Sequence, residues 1–291
     1  MSQEHGDWVE FAVGTLARVV EEVRSLEGGG WEVVERRAPG FREDDPEIIR
    51  VDKVAEAIIL NAIEEAGIEA IVLSEEAGRV CIKPSQPSSK FPEPVYVVVD
   101  PFDGSMLYRR RIPAFWYSSL SVYSLEGSSL CAAVVNILNG EVDFANENGS
   151  FTGSLVDGGV KDVSRMMATL ISNLSEAYLE SYFMKPSFLY PALGRLEPLF
   201  RRCKFLLPNG GPAGWADVAK GRVDAYIALN EPATEVFTGL PIAERAGAEV
   251  TTLRGGPVTF KDDLSATYSI VCSNGPALHQ EILDVLATCE L

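Results

Sequence analysis

Histidine is nearly missing from this sequence, whose 291 residues include only His5 and His279, one close to each end. Hydrolases built on a Ser/His/Asp or Cys/His set need a histidine as general base, and zinc sites often use histidine ligands. The Gly-x-Ser-x-Gly, Walker and Gly-x-Gly-x-x-Gly motifs are missing as well. Any hydrolytic chemistry in this chain therefore has to depend on carboxylates and hydroxyls.

Paired cysteines and long apolar runs are missing too. The five cysteines are scattered and odd in number, which argues against a disulfide framework and against a zinc ribbon. The apolar segment 130–138 is interrupted by Asn136 and is too short to span a bilayer. The N-terminal residues lack the basic region and apolar stretch of a secretion signal. These absences predict a cytoplasmic protein with reduced thiols.

Basic residues are scarce, with 25 Lys and Arg against 42 Asp and Glu, so the formal net charge is -17. Binding to a nucleic acid backbone depends on a basic surface, and this balance argues against such a partner. An acidic protein binds a phosphate group through a divalent cation that carboxylates hold. The composition therefore predicts that any phosphate site contains clustered carboxylates.

Hydrophobic periodicity predicts helices and strands in mixed order. In the first half we expect helices at 9–26 and 46–66, and strands at 71–73, 96–99, 118–123, 131–138 and 141–145. In the second half we expect strands at 168–172, 204–207, 224–229 and 269–272, and helices at 176–183, 213–220, 236–246 and 277–286. This alternation predicts an α/β layered architecture.

The segment DPFDGS at 100–105 follows directly from the predicted buried strand. Asp100 and Asp103 would repel each other there unless cations neutralise them, and hard oxygen ligands suit Mg²⁺. The amides of Gly104 and Ser105 are placed to begin a helix and point at an anion. Taken alone, the motif fits equally well a turn in which one carboxylate caps a helix and the other is solvated.

The DPFDGS segment resembles the DPxDG(S/T) signature of the inositol monophosphatase superfamily of metal-dependent, lithium-sensitive phosphatases, which includes fructose-1,6-bisphosphatases. Other segments resemble family elements in the family order, namely DKVAE at 52–56, SEE at 74–76, VAKGRVDAY at 218–226 and RAGA at 245–248. The resemblance runs from about residue 8 to 280. It implies a layered αβαβα sandwich and a phosphatase.

Carried across position by position, the resemblance implies the roles of individual residues. Glu75, Asp100, Asp103, Glu235 and the Phe102 carbonyl would bind two or more Mg²⁺ ions, with Mn²⁺ as a possible substitute. Asp52 and Ser105 would orient the attacking water. The implied catalytic residues are Asp52, Glu75 and Ser105, and the implied substrate-binding residues are Gly104, Ser105 and Glu235.

Three segments depart from the family pattern. Glu235 stands eleven positions after Asp224, where relatives have an aspartate, and an exposed carboxylate stabilised by the helix dipole is the alternative for it. The segment PNGGPAG at 208–214 replaces the family's G-S-A-A-L, which puts the substrate in doubt. Leu107 replaces a common Asn.

Arg109, Arg110 and Arg111 form a basic cluster a few residues past the predicted phosphate site. They fit a second anionic group on the substrate, or a solvated and salt-bridged surface, which is the commoner case. The aromatic residues Trp116, Tyr117, Trp215 and Tyr226 fit core positions better than a sugar or base pocket.

The sequence therefore predicts a Mg²⁺-dependent phosphatase for inositol monophosphate or a related sugar phosphate. Fructose 1,6-bisphosphate and a 3′-phosphorylated nucleotide are alternative substrates, and a non-catalytic phospho-ligand-binding protein is the alternative of another class. We expect residues 1–150 to form a lobe with most metal ligands and residues 151–291 a lobe that closes the site, in one compact unit. By resemblance we expect a homodimer.

Overall fold

The computed structural model describes residues 3–26, 28–37, 46–156 and 159–289. Within those ranges, no helix is both long and apolar enough to cross a membrane. The chain begins with α1 (Gln3–Ser25), followed by a two-stranded antiparallel ribbon of β1 (Val33–Arg36) and β2 (Glu47–Ile49). The helix α2 (Arg50–Glu65) follows directly.

An eight-stranded sheet forms the first large layer, in the order β10-β9-β8-β7-β6-β5-β3-β4. Its strands are β3 (Ala70–Ser74), β4 (Gly78–Ile82), β5 (Val95–Asp103), β6 (Tyr117–Ser124), β7 (Ser129–Asn136), β8 (Glu141–Asn146), β9 (Gly149–Val156) and β10 (Gly159–Arg165). All neighbours pair antiparallel except β3 and β5, which run parallel. The short helix α3 (Ser105–Arg109) follows β5.

The helices α1 and α2 cover one face of this sheet. Their buried apolar residues recur at helical spacing, for example Leu16, Val19 and Val23 in α1 and Ile59 and Ile63 in α2. These side chains belong to the same core cluster as the inward residues of β5, β6 and β7. The sheet face is buried because both helices present one apolar stripe to it.

A five-stranded sheet forms the second layer, in the order β12-β11-β13-β15-β14. Its strands are β11 (Tyr178–Glu180), β12 (Phe205–Leu207), β13 (Ala225–Pro232), β14 (Glu249–Thr252) and β15 (Thr267–Ser273). The helices α4 (Pro186–Phe200) and α7 (Pro276–Leu286) share a core cluster with β11, β13 and β15. They cover the outer face of this sheet.

Between the two sheets lie α5 (Pro212–Ala219) and α6 (Ala233–Arg245). Residues of α6 pack against strands of both sheets, including β5, β7, β13 and β14. Phe237 and Trp215, both almost fully buried, share one cluster with Val98 of the large sheet and Ile270 of the small one. The layers therefore follow the order helix, sheet, helix, sheet, helix, and the predicted α/β layered architecture is confirmed.

Two predicted elements in the second half are wrong. Residues 168–172 do not form a strand, and 176–183 is not a helix but a 3-10 turn at Leu174–Glu176 followed by β11. The helix lies further on, as α4, where Pro186 occupies its first turn. At three residues, β11 is too short for periodicity to distinguish a strand from a helix. Similarly, Ile48 and Ile49, predicted in the second helix, belong to β2.

The division of the chain at residue 150 stays a prediction. The large sheet continues past that point, because β9 spans it and β10 ends at Arg165. From Leu174 onward the regular elements belong to the small sheet, the middle helices and the outer helices.

Candidate metal centre and cleft

The DPFDGS segment forms the end of β5 and the start of α3. Pairing with β6 shifts register between Asp100 and Asp103, so the backbone leaves the regular ladder there. Gly104 has a φ of 98°, and a Cβ on it would lie 2.1 Å from the Phe115 carbonyl oxygen. Only glycine fits that position, and its turn places Asp103 and Ser105 at the sheet edge.

Three carboxylates converge at this edge. Glu75 follows β3, which runs parallel to β5, so both strands deliver their carboxyl ends to the same side. Glu235 lies in the first turn of α6. Each of Glu75, Asp100 and Glu235 offers an oxygen, and these three oxygens lie within 4.8 Å of one another. Glu75 and Asp100 are buried and Glu235 is half-buried.

Asp103 joins this group through the turn before α5. Gly211 has a φ of 65°, and a Cβ there would lie 3.0 Å from Asp103 Oδ2 and 3.3 Å from Glu235 Oε2. The backbone of Gly211 therefore passes close to both carboxylates, and a side chain would intrude on them. The four predicted carboxylate ligands therefore lie together, three of them beside the eight-stranded sheet and Glu235 at the start of α6.

Asp52 and Ser105 also meet. The Ser105 hydroxyl lies 2.6 Å from Asp52 Oδ1 and 3.1 Å from the Phe102 carbonyl oxygen, and the Ile49 amide donates to Asp52 Oδ2 at 2.8 Å. Burial raises the pKa of Asp52 to about 7, although the hydrogen bonds from Ser105 and Ile49 oppose the shift. The structure thus brings together the pair predicted to orient a water.

Arg37 contacts the same acidic group, and the sequence analysis missed it. Its guanidinium forms ion pairs with Glu75, at 3.4 Å, and with Glu76. The Arg37 side chain is only 4% exposed. One buried cation therefore offsets part of the clustered negative charge. Arg37 directly follows Arg36 in a charged segment, and no motif distinguishes one arginine of the pair, so the sequence carried no signal for it.

A buried hydrogen-bond chain supports the Gly211 turn. Tyr226 donates its hydroxyl to Glu231 Oε1 at 2.9 Å and accepts the Gly211 amide at 3.0 Å. Trp215 Nε1 donates to the same Glu231 oxygen at 3.3 Å. Burial, with Glu235 nearby, raises the pKa of Glu231 well above its usual value. Trp215 and Tyr226 are core residues, as predicted, but they also position the turn.

Glu180 and Asn209 form a second buried pair beside the cleft. The Asn209 side-chain amide donates to Glu180 Oε1 at 2.8 Å, and Glu180 is fully buried. Burial raises the pKa of Glu180 to about 8, with the nearby Asp217 charge adding to the shift. Asn209 lies in the segment 208–214, which was predicted only to alter the substrate, and no sequence pattern predicted Glu180.

A cleft of about 410 Å³ opens onto these groups. Glu75, Asp103, Ser105 and Glu235 line it, together with the cationic Lys185 and a number of apolar side chains. The predicted basic cluster does not line this cleft. Arg109 forms an ion pair with Glu47, and the Arg111 guanidinium lies 4.1 Å from the Trp31 ring centre. Arg109 and Arg110 line a second depression, which shares Met106 with the cleft.

Comparisons with known proteins agree with this picture. A family model described as "Inositol monophosphatase family" matches residues 6–290. The chain is 28% identical over 241 residues to the "Fructose-1,6-bisphosphatase/inositol-1-monophosphatase" of Methanothermobacter thermautotrophicus, with 81% of this chain and 82% of the relative covered. It is 24% identical over 212 residues to "Nus factor SuhB" of Escherichia coli, with 72% and 73% covered.

Among solved structures, the IMPase of Thermotoga maritima matches with a TM-score of 0.73 at 19% identity, with 97% of each chain covered. Similarity at this level of identity shows the fold. It confirms the predicted αβαβα sandwich type.

Proposed function

The chain belongs to the inositol monophosphatase family and is a phosphatase, and from this premise we propose that it uses Mg²⁺ to hydrolyse a phosphate monoester of a small metabolite. The observation that carries the proposal is the convergence of Glu75, Asp100 and Glu235 oxygens within 4.8 Å, beside Asp103. Carboxylates this close repel one another unless a cation or a bound proton neutralises part of their charge, and a divalent cation neutralises several at once.

The donor set fits a hard divalent cation. Glu75, Asp100, Asp103 and Glu235 offer oxygen, and no histidine or cysteine lines the described part of the cleft. Oxygen-only ligands favour Mg²⁺ or Mn²⁺ over zinc. Bound there, Mg²⁺ supplies a water of lowered pKa and positive charge for the phosphate oxygens. The Phe102 carbonyl, predicted as a further ligand, lies next to the Ser105 hydroxyl.

Ser105 and Asp52 are the residues that would orient the attacking water. The Ser105 hydroxyl donates to Asp52 Oδ1. The lone pairs of the Ser105 oxygen can then accept a hydrogen bond from a water or from the substrate. Asp52 also accepts a hydrogen bond from the Ile49 amide, so its carboxylate is held in place beside Ser105. Gly104 and Ser105 line the cleft beside the carboxylates, which supports their predicted contact with the phosphate group.

Inositol monophosphate or a related sugar phosphate is the first substrate to test, with fructose 1,6-bisphosphate and a 3′-phosphorylated nucleotide as alternatives. The names of the relatives support the first two. The experiment measures phosphate release from all three with Mg²⁺ and with EDTA. We expect release that requires the metal, and the same slow release under both conditions would contradict the proposal.

We further propose a homodimer that binds a small metabolite and no nucleic acid. The net charge of -17 supports the statement that the protein does not bind nucleic acid. Val163, Met167 and Leu170 are 51%, 71% and 96% exposed within eight positions of the chain, which supports an apolar contact between subunits. Sedimentation velocity should show a dimer, and a monomer at micromolar concentration would contradict this.

A further inference from the structure

Besides the carboxylates, two apolar stretches line the cleft. Met106, Leu107 and Phe115 come from α3 and the residues after it, and Met184, Phe188 and Ala192 come from the start of α4 and the residues before it. A site for a polyhydroxylated ring needs hydrogen-bonding groups around the ring. Apolar walls of this kind match a different leaving group.

Four of the polar side chains that line the cleft form hydrogen bonds with the protein itself. Ser265 donates to Asp263 at 2.6 Å, and the Tyr226 hydroxyl donates to Glu231 at 2.9 Å. Asn230 Oδ1 lies 3.5 Å from the Ser269 hydroxyl, and the Asn209 amide donates to Glu180. These four side chains are therefore less available to the hydroxyls of an inositol or a hexose than groups without a partner would be.

Two of these apolar side chains are exposed rather than buried in the core. Met106 is 51% exposed and Met184 is 38% exposed, one on each stretch. Methionine adapts its shape to a partner and contacts aromatic rings favourably. Phe188 meets Tyr182 edge to face at 5.3 Å, so the wall already contains an aromatic pair.

The backbone at Phe115 adds an independent observation. Its φ is 57°, a left-handed conformation that is strained for a bulky residue. Strain of this kind persists where the surroundings enforce it, and it clusters at ligand sites. Phe115 lines the cleft, and its carbonyl oxygen lies against the Gly104 turn.

We propose that the apolar stretches bind an aromatic ring on the leaving-group alcohol, so that the preferred substrate is a phosphate monoester of an aromatic-bearing alcohol. The proposal rests on the proposed function, because the carboxylates determine where the phosphate lies. The cleft opens onto those carboxylates, so the ring and the phosphate belong to one molecule. Its volume of about 410 Å³ is in the range of sites that hold a whole small ligand.

The hydrolysis test uses three alkyl phosphates with similar bonds to phosphorus, namely 2-phenylethyl phosphate, inositol 1-phosphate and glycerol 2-phosphate. We expect kcat/KM to be about tenfold higher for the phenyl compound than for the other two. Phe188→Ala should reduce that ratio by about tenfold. Leu193→Ala is the matched control, since Leu193 lies on the same helix, is exposed and does not line the cleft.

Leu193→Ala should leave every rate at the wild-type value. If inositol 1-phosphate is the best of the three, or if Phe188→Ala lowers all rates by one factor, the aromatic site is wrong while the phosphatase stands. Release from none of the three compounds would count against the proposed function instead.

A binding measurement decides the aromatic site without turnover. Calorimetry with Mg²⁺ present compares 2-phenylethylphosphonate with methylphosphonate, neither of which is hydrolysed. We expect the phenyl compound to bind about tenfold more tightly, and Phe188→Ala to remove that advantage. Equal affinities for the two phosphonates in wild type would overturn the inference, whatever the hydrolysis rates show.

Discussion

The two sides of the cleft differ in how closely they follow the family pattern. The side built on the eight-stranded sheet carries Asp52, Glu75, Asp100, Asp103 and Ser105, all of the types that the resemblance requires. The side built around the five-stranded sheet carries a glutamate where an aspartate is usual, a Gly-Gly turn and one of the two apolar stretches, that of Met184, Phe188 and Ala192. One side of the cleft therefore keeps the family's site residues, and the other side departs from them.

This difference separates two tasks. The large-sheet side is held by a buried strand end and by the hydrogen bond from Ser105 to Asp52, which fits a fixed reaction chemistry. The small-sheet side contributes one carboxylate, and its turn depends on the Tyr226 hydroxyl. We infer that changes on the first side affect turnover, whereas changes on the second affect metal requirement and substrate choice.

The largest effect is expected from Asp103→Asn on the large-sheet side. Loss of one carboxylate from the group should lower kcat by roughly a thousandfold. Without metal, the variant should melt no lower than wild type, because like charges repel less. Asp262→Asn, an exposed residue paired with Arg79, is the control and should keep wild-type turnover. Wild-type turnover in Asp103→Asn would remove this aspartate from the site.

Glu235 on the small-sheet side should show a smaller and different effect. Because its oxygen lies near those of Glu75 and Asp100, Glu235→Gln should raise the Mg²⁺ concentration for half-maximal activity by about tenfold or more. Glu235→Asp tests whether the longer side chain suits this backbone, since it restores the family's residue. Superimposable Mg²⁺ activation curves for wild type and Glu235→Gln would instead favour a carboxylate that only stabilises the start of α6.

Glu180, behind the small-sheet side, should make stability depend on pH. Its pKa is about 8 in the fold against 4.5 for an ordinary glutamate. Its contribution to stability is therefore complete below pH 4.5 and is lost as the pH rises through 8. Between pH 5 and 9, metal-free wild type should lose on the order of 4 kcal/mol more than Glu180→Gln.

Urea unfolding at the two pH values measures that difference. Glu197→Gln is the control, because Glu197 lies on the exposed side of α4 and pairs with Arg201. This variant should lose as much stability between the two pH values as wild type does. A pH dependence in Glu180→Gln equal to that of wild type would show that Glu180 titrates normally.

The smallest effect is expected from the basic cluster on the large-sheet side. Arg109 pairs with Glu47, and Arg110 lies in a depression outside the cleft, so Arg110→Gln should change KM by less than about twofold for mono- and bisphosphates alike. Lys185 lines the cleft, so Lys185→Gln should raise KM more for a bisphosphate than for a monophosphate. If Arg110→Gln shows that selective rise, a second phosphate lies at the arginines.

The site residues on the large-sheet side, which follow the family pattern, could also be predicted from the sequence. The apolar run before Asp100 and the compact DPFDGS segment specify a strand end, and their partners Asp52 and Glu75 follow from the family order. The small-sheet side depends on contacts between distant segments, as in Glu231 with Tyr226 and Glu180 with Asn209. Local patterns cannot reveal such pairs, and short elements such as β11 carry too few residues for a period.

The central claim is that carboxylates from both sides of the cleft hold one divalent-metal centre. Calorimetric titration of Mn²⁺ into wild type and Asp100→Asn tests it directly, because Asp100 is buried among the converging oxygens. The account predicts saturable binding in wild type and an affinity at least about tenfold lower in Asp100→Asn. Identical isotherms for the two proteins, or no binding by wild type at millimolar metal, would contradict it.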